Sequence, residues 1–191
     1  LIPWFFFSDG INSVTSVFLE YSYLVKKVVF DIKILPVIKI ISATFVHVFF
    51  IFLIFIVMAL FGYLPSIAYI QAFYYSFCMI CLILAIGYFT SSLSVFFRDL
   101  PQFVQVCLSA GMWLTPIMWA FDMLKGYWFS FIFKLNPMFY IVEGYRSAIL
   151  GHQWFFSNWK LTIYFWCVVI LLTLIGRNVF KKMKPHFADV L

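Results

Sequence analysis

Apolar residues run along this chain in long unbroken stretches rather than in alternation. Membrane-spanning strands would alternate over about 10 residues, whereas a helix needs about 20 apolar residues to cross the hydrocarbon. The pattern therefore predicts an all-α, polytopic membrane protein with five helical spans, over roughly 1–19, 39–61, 67–96, 102–121 and 159–180. The stretch 127–150 is also apolar, but Asn136-Pro137 and the group Glu143, Tyr145, Arg146 interrupt it. Irregular backbone and charge at membrane depth are tolerated only against protein or a water-filled cavity. A re-entrant helical hairpin is the expectation for 127–150. Pro116 is expected to kink the fourth span, since it removes a backbone donor and clashes one turn back. The third span is long, and Gly87 with Thr90-Ser91-Ser92 is expected to bend or end it. Neither repeats nor low-complexity linkers divide the chain, so 1–191 reads as one domain.

Composition agrees: 65% of residues are hydrophobic, 10% are charged and 27 are Phe, with a mean hydropathy of +1.05. A soluble domain of this size has no way to bury that much apolar surface. The net charge of +6 is too sparse and too local for nucleic acid, and reads instead as topology signals. Lys26, Lys27, Lys33 and Lys39 follow the first span, Arg98 the third, and Arg177, Lys181, Lys182 and Lys184 the last. Together they make nine of the 13 basic residues. Lys125, Lys134, Arg146 and Lys160 fall on the other side. The richer side is cytoplasmic by the positive-inside rule, which places the C-terminus inside and, over five spans, Leu1 outside. With no initiating Met or signal-peptide pattern, a further span upstream is expected.

Candidate chemistry is thin. No GxxxxGK[ST] loop is present to cradle a nucleotide. His47, His152 and His186 lack a carboxylate or Cys partner at ligand spacing, and Asp9 and Glu20 lie too far apart for an acid/base pair. Cys78 and Cys81 form a CxxC, but inside a span and without a second pair they read as small packing residues. No metal, cofactor or catalytic set is expected, and energy for any active transport would have to come from a partner. The segment 20–36, EYSYLVKKVVFDIKILP, suits a short amphipathic helix at the membrane base, serving either partner docking or anchorage by snorkelling lysines. Arg98-Asp99 reads as a local ion pair at the inner end of the third span. Trp113, Thr115, Trp119 and Phe121 fit either an interfacial aromatic belt or flat apolar faces on which sugar rings pack. Asn136-Pro137 is a helix start, and Glu143 and Arg146, three apart, share a face and pair. The basic C-terminal segment is expected to anchor the last span on anionic lipid.

Five pieces, in order along the chain, carry a resemblance. They are LVKKVVFDIKILP at 24–36, FFRDLPQ at 96–102, WLTPIMW at 113–119, LNPMFYIVEGYRSAILG at 135–151 and KPHFADVL at 184–191. They resemble the permease subunits of ABC exporters that move lipid-linked polysaccharides and teichoic acids across bacterial membranes. HQWFFSNWKL at 152–161 is similar to the teichoic-acid branch. The resemblance implies a six-span subunit with an N-terminal interfacial helix; this chain lacks that helix and the first span, so it is expected to be N-terminally incomplete. It also implies a homodimer in the cytoplasmic membrane, paired with a separate ABC ATPase that holds ATP and Mg. The 20–36 segment would be the coupling helix, with Tyr23, Lys26, Lys27, Phe30 and Asp31 in contact with the ATPase. Trp113, Trp119, Phe121, Tyr140, Glu143, Tyr145 and Arg146 would line or gate the path. Lys33, Lys39 and Arg98 are candidates to meet a diphosphate headgroup at the inner entrance. Rival readings are an exporter of a drug or small lipid, a transferase acting on lipid-linked sugars, and a non-transporting scaffold. The transferase needs paired acids that the seven acidic residues do not supply.

Overall fold

The computed structural model describes residues 1–25, 31–63, 66–119, 121–124, 127, 130–151 and 154–190. Every regular element among them is helical: α1 (Ile2–Thr15), α2 (Val17–Glu20), α3 (Ser22–Val25), α4 (Ile34–Leu60), α5 (Gln71–Ser94), α6 (Leu100–Leu114), α7 (Ser130–Lys134), α8 (Pro137–Arg146), α9 (Trp159–Met183) and α10 (Phe187–Val190). Three helical stretches have the length and hydropathy to cross a membrane: Ile34–Leu60, Ile67–Ser94 and Phe155–His186. Two expected spans are shorter than the apolar pattern indicated, α1 at 14 residues and α6 at 15.

The fourth span differs for a clear reason. Pro116 ends α6 instead of kinking it. A proline disfavours the helical region for the residue before it, and Thr115 is extended with ψ 135°. Gly87 does not end α5, which runs on to Ser94. Its missing side chain instead admits Val14 of α1, whose Cγ1 would lie 2.5 Å from an added Cβ. Close backbone approach at small residues is how helices associate in lipid, where the hydrophobic effect between helices is absent. The same logic operates where α9 crosses α5: a Cβ on Gly176 would sit 2.9 Å from the Ala85 carbonyl oxygen.

α5 is the central helix, packed by α1, α4, α8 and α9. Half of its most apolar window is buried, which fits a sequence apolar all round with Ala85 and Gly87 as approach points. α4 buries little beyond Leu35, Pro36, Ile40, His47 and Ile51 and turns Phe45, Phe49, Phe52 and Ile56 outward, as a lipid-facing helix does. It stops in a Schellman turn. Gly62, with φ +85°, donates from its N–H to the Ala59 carbonyl at 3.1 Å, and Tyr63 donates to Met58 at 3.0 Å.

Two separate cores result. The larger joins α1, α4, α5, α8 and α9 around Ile11, Met79, Leu82, Tyr140, Ile141 and Phe165. The smaller lies at the other end of α9 and contains Val17, Phe18, Ile32, Leu35, Val95, Phe180 and Phe187. Phe187 is 1% exposed, its ring centroid 5.3 Å from that of Phe18. The C-terminal segment thus folds back into protein rather than serving only as a basic lipid anchor.

Candidate functional site

Three clusters position the residues that carry chemistry. The first joins the end of α6 to α8. Asn136 caps α8: its Oδ1 accepts from the Met138 N–H at 3.0 Å, and Pro137 takes the first helical position. The same side chain donates from Nδ2 to Thr115 Oγ1 at 2.9 Å. Arg146, in the last turn of α8, donates from Nη1 to Glu143 Oε2 and from Nη2 to the Pro116 carbonyl, both at 2.9 Å. The pair read from the sequence is present, and a third partner, invisible in the sequence, fastens the broken end of α6 to α8. A cavity of ≈ 530 Å³ opens beside this cluster, lined by Arg146, Tyr145, Trp4, Ile51, Ile117 and Val142 among others.

Tyr140 and Tyr145, proposed from the resemblance as path or gate residues, lie inside the helical packing at 6% exposed each. The Tyr140 hydroxyl meets those of Tyr74 (3.2 Å) and Thr162 (3.1 Å). The Tyr145 hydroxyl meets Ser76 Oγ and, at 3.0 Å, His47 Nε2. The Phe6 ring stacks on His47 with centroids 4.2 Å apart. These hydroxyls and the imidazole tie α8 to α4, α5 and α9, because a buried polar group without a partner is costly. Phe121 is buried edge-on against Phe139 at 4.7 Å. Trp119 packs on Phe133 and donates from Nε1 to the Trp113 carbonyl at 3.3 Å. The Trp113 side chain, by contrast, is 74% exposed.

Trp113 stands on the second feature, the outward face of α6. Of the 15 residues in this helix, Leu108 alone is buried. Gln102, Gln105 and Ser109 are all exposed on it. Their spacing, three and then four residues, aligns them on one face, a signal the sequence carried but which the aromatic pattern overshadowed. Amide side chains turned to lipid would be costly, so this stripe belongs against water or protein.

The third cluster is the base. Tyr23 is exposed on α3, and Asp31 accepts at 3.4 Å from the Lys33 backbone N–H and also faces Lys33 Nζ (3.6 Å) and Lys184 Nζ (3.4 Å). Lys26, Lys27 and Phe30 lie outside the described residues. The Lys33 N–H bond, with the Lys33 and Lys184 charges, holds the Asp31 carboxyl below the ordinary range against the opposing effect of burial. Glu20 pairs with Lys39 at 2.7 Å and accepts from Ser16. Burial works upward on Glu20, but the bonds from Lys39 and Ser16 outweigh it and its carboxyl also sits low. Of the three headgroup candidates, Lys39 is therefore committed to Glu20 and Lys33 shares Asp31. Arg98 and Asp99 are exposed, form no ion pair with each other, and Asp99 caps α6 without a side-chain hydrogen bond. The local ion pair expected there is absent.

The chain is similar to two O-antigen export system permease proteins RfbA from Klebsiella pneumoniae, each 26% identical over 193 residues, covering 100% of this chain and 73% of the relative. It is also similar to the protein of that name from Myxococcus xanthus, 21% identical over 190 residues, covering 99% of this chain and 72% of the relative. The model of the ABC-2 type transporter family matches residues 1–150, and the chain belongs to that family.

Proposed function

We propose that this chain is the membrane subunit of an exporter that carries a lipid-linked polysaccharide across the bacterial cytoplasmic membrane, powered by a separate ABC ATPase. The observation that carries the reading is the α6 stripe. Gln102, Gln105 and Ser109, beside exposed Trp113, form a polar and aromatic face on a helix whose other residues suit a membrane. Hydroxyl-rich sugars pass best along such a face, since amides exchange hydrogen bonds with them and indole packs on their C–H surfaces. Two copies of the chain, α6 toward α6, would enclose the path and remove the stripes from lipid. The names of the relatives from Klebsiella pneumoniae and Myxococcus xanthus support a polysaccharide cargo. Within that class, the wording of 152–161 favours a teichoic acid.

The ATPase would seat on the base, against the segment that includes Tyr23, Lys26, Lys27, Phe30 and Asp31. Closure of the ATPase would push this segment, move α4 with it and open the path, while the α8 hairpin, held by Arg146, guards the outer mouth. The C-terminus lies in the cytoplasm in this arrangement. The test is affinity purification from the native host, followed by export assays on a Gln102→Leu/Gln105→Leu double variant. A co-purifying P-loop ATPase, lost on Lys26→Ala/Lys27→Ala/Asp31→Ala, is expected. The Gln variant should keep the ATPase and its abundance while surface polymer falls at least tenfold. Normal export by that variant would refute the lining role of α6, and absence of any ATPase would refute the exporter itself. Whether the polymer lost is a teichoic acid or another glycan is read directly by its phosphate content.

A further inference from the structure

At the inner end of the α5–α9 pair lies a groove of ≈ 320 Å³ lined by Lys33, Tyr88, Thr173, Arg177, Phe180 and Lys181. Three of these six residues are cations and none is an acid. Tyr88 donates its hydroxyl to the Lys33 carbonyl at 2.9 Å, which fixes the start of α4 against α5 and makes the groove a built feature rather than a chance cluster. Its cationic end continues into an apolar strip: Ile170, Leu174, Arg177 and Lys181 recur along one face of α9, and Ile170 and Leu174 are 57% and 54% exposed. A concentrated positive patch at the base of a lipid-facing apolar strip matches an amphiphile with an anionic head and a hydrocarbon tail. Asp31 is a carboxylate close to this end, and it is engaged by Lys33 and Lys184.

We infer that this groove binds the phosphate headgroup of an anionic phospholipid from the inner leaflet, with an acyl chain lying along Ile170 and Leu174. Arg177 and Lys181 grip the phosphate, and Lys33 closes the site from α4. Basic pockets between helices on the cytoplasmic side are suited to such headgroups. No residue of α6 lines the groove, so the lipid is a resident of the flank and stands apart from the transported polymer. Because Lys33 also touches Asp31, and Asp31 touches Lys184, an occupied groove would brace the base on which the ATPase is proposed to seat. The lipid site itself does not depend on that proposal.

The experiment is native mass spectrometry of the purified protein, delipidated and then titrated with phosphatidylglycerol, phosphatidylcholine or a polyprenyl diphosphate. Arg177→Gln/Lys181→Gln is compared with Lys160→Gln/Lys182→Gln, which removes the same charge away from the groove; size-exclusion profiles establish that both variants are folded. One saturable phosphatidylglycerol per protomer is expected, weakened about 30-fold by the groove variant and unchanged by the control. Equal weakening by the two variants would reduce the effect to bulk charge and overturn the site. Loss of polyprenyl diphosphate binding alone would make the groove a cargo entrance and equally overturn the resident lipid.

Discussion

The guanidinium of Arg146 reaches the backbone carbonyl of Pro116, thirty residues earlier, at 2.9 Å while its other nitrogen holds Glu143. One side chain therefore anchors both the helix it ends and the break that terminates α6. A fork with two separated donors does this; a lysine ammonium does not span both partners. Arg146→Lys should keep the Glu143 pair and free the Pro116 segment, raising proteolytic cleavage within 115–130. Glu143→Gln should leave that segment protected. Each charge-assisted bond contributes about 1.5–3 kcal/mol, so Arg146→Leu should lower thermal stability more than either. Equal cleavage in Arg146→Lys and Glu143→Gln would show that the carbonyl link is unimportant.

Gly144 faces the Tyr75 ring so closely that an added Cβ would overlap three ring carbons. Both residues are buried, so the ring has little room to retreat. Gly144→Ala should destabilise by about 1–3 kcal/mol, the usual range for overpacking. Tyr75→Phe should give no rescue, since the clash is with ring carbons rather than hydrogen-bonding capacity. Tyr75→Leu should restore part of the loss in a thermal melt. An unchanged melting temperature in Gly144→Ala would contradict the packing.

Tyr145→Phe removes one hydroxyl from the His47–Ser76–Tyr145 cluster and leaves its volume intact. The loss leaves buried polar atoms short of one partner, at a cost of about 1–3 kcal/mol. The variant should melt earlier yet, once folded, bind an ATPase partner like the wild type. A stability equal to wild type would mean that His47 and Ser76 satisfy each other alone.

Phe187 closes the smaller core against Phe18 and Phe180. Phe187→Ala should cost about 3–5 kcal/mol locally and expose 184–191 to carboxypeptidase digestion. Val190, 38% exposed, provides the comparison: Val190→Ala should leave digestion unchanged. Similar trimming of both variants would mean that the tail is not held by the aromatic contact.

Acid should loosen the base. Glu20 and Asp31 both have carboxyls held below their ordinary values. The stability from a depressed carboxyl is complete above its unfolded value, near pH 4, and is lost as pH falls through the folded value. Hydrogen exchange over 16–25 and 31–39 should therefore be flat between pH 7 and 5, after correction for intrinsic rates, and rise below about pH 4. Glu20→Gln should weaken that rise for 16–25. A rise already at pH 6 would point to another titrating group.

Some of this was legible in the residues. The positions of α4, α5 and α9 followed from unbroken apolar runs, and the start of α8 from Asn136-Pro137, because both are local effects that hold in any surroundings. The Glu143–Arg146 pair followed from helical spacing. The Gln102, Gln105 and Ser109 stripe was equally present in the spacing but outshone by the neighbouring tryptophans. Thr115 could have been weighed as the end of α6, since a proline disfavours the helical region for the residue before it.

By itself the sequence determined that the protein is helical and apolar enough for a membrane. Those properties sum over residues and need no knowledge of partners. Tertiary structure alone decided that Tyr140 and Tyr145 turn inward, that Lys39 is taken by Glu20, that Arg146 reaches Pro116 and that Phe187 folds into a second core. Each is a contact between residues distant in the chain. In a composition this uniformly apolar, many faces of a helix are equally fit to be buried, and small residues such as Gly87, Gly144 and Gly176 select among them by how closely two backbones approach.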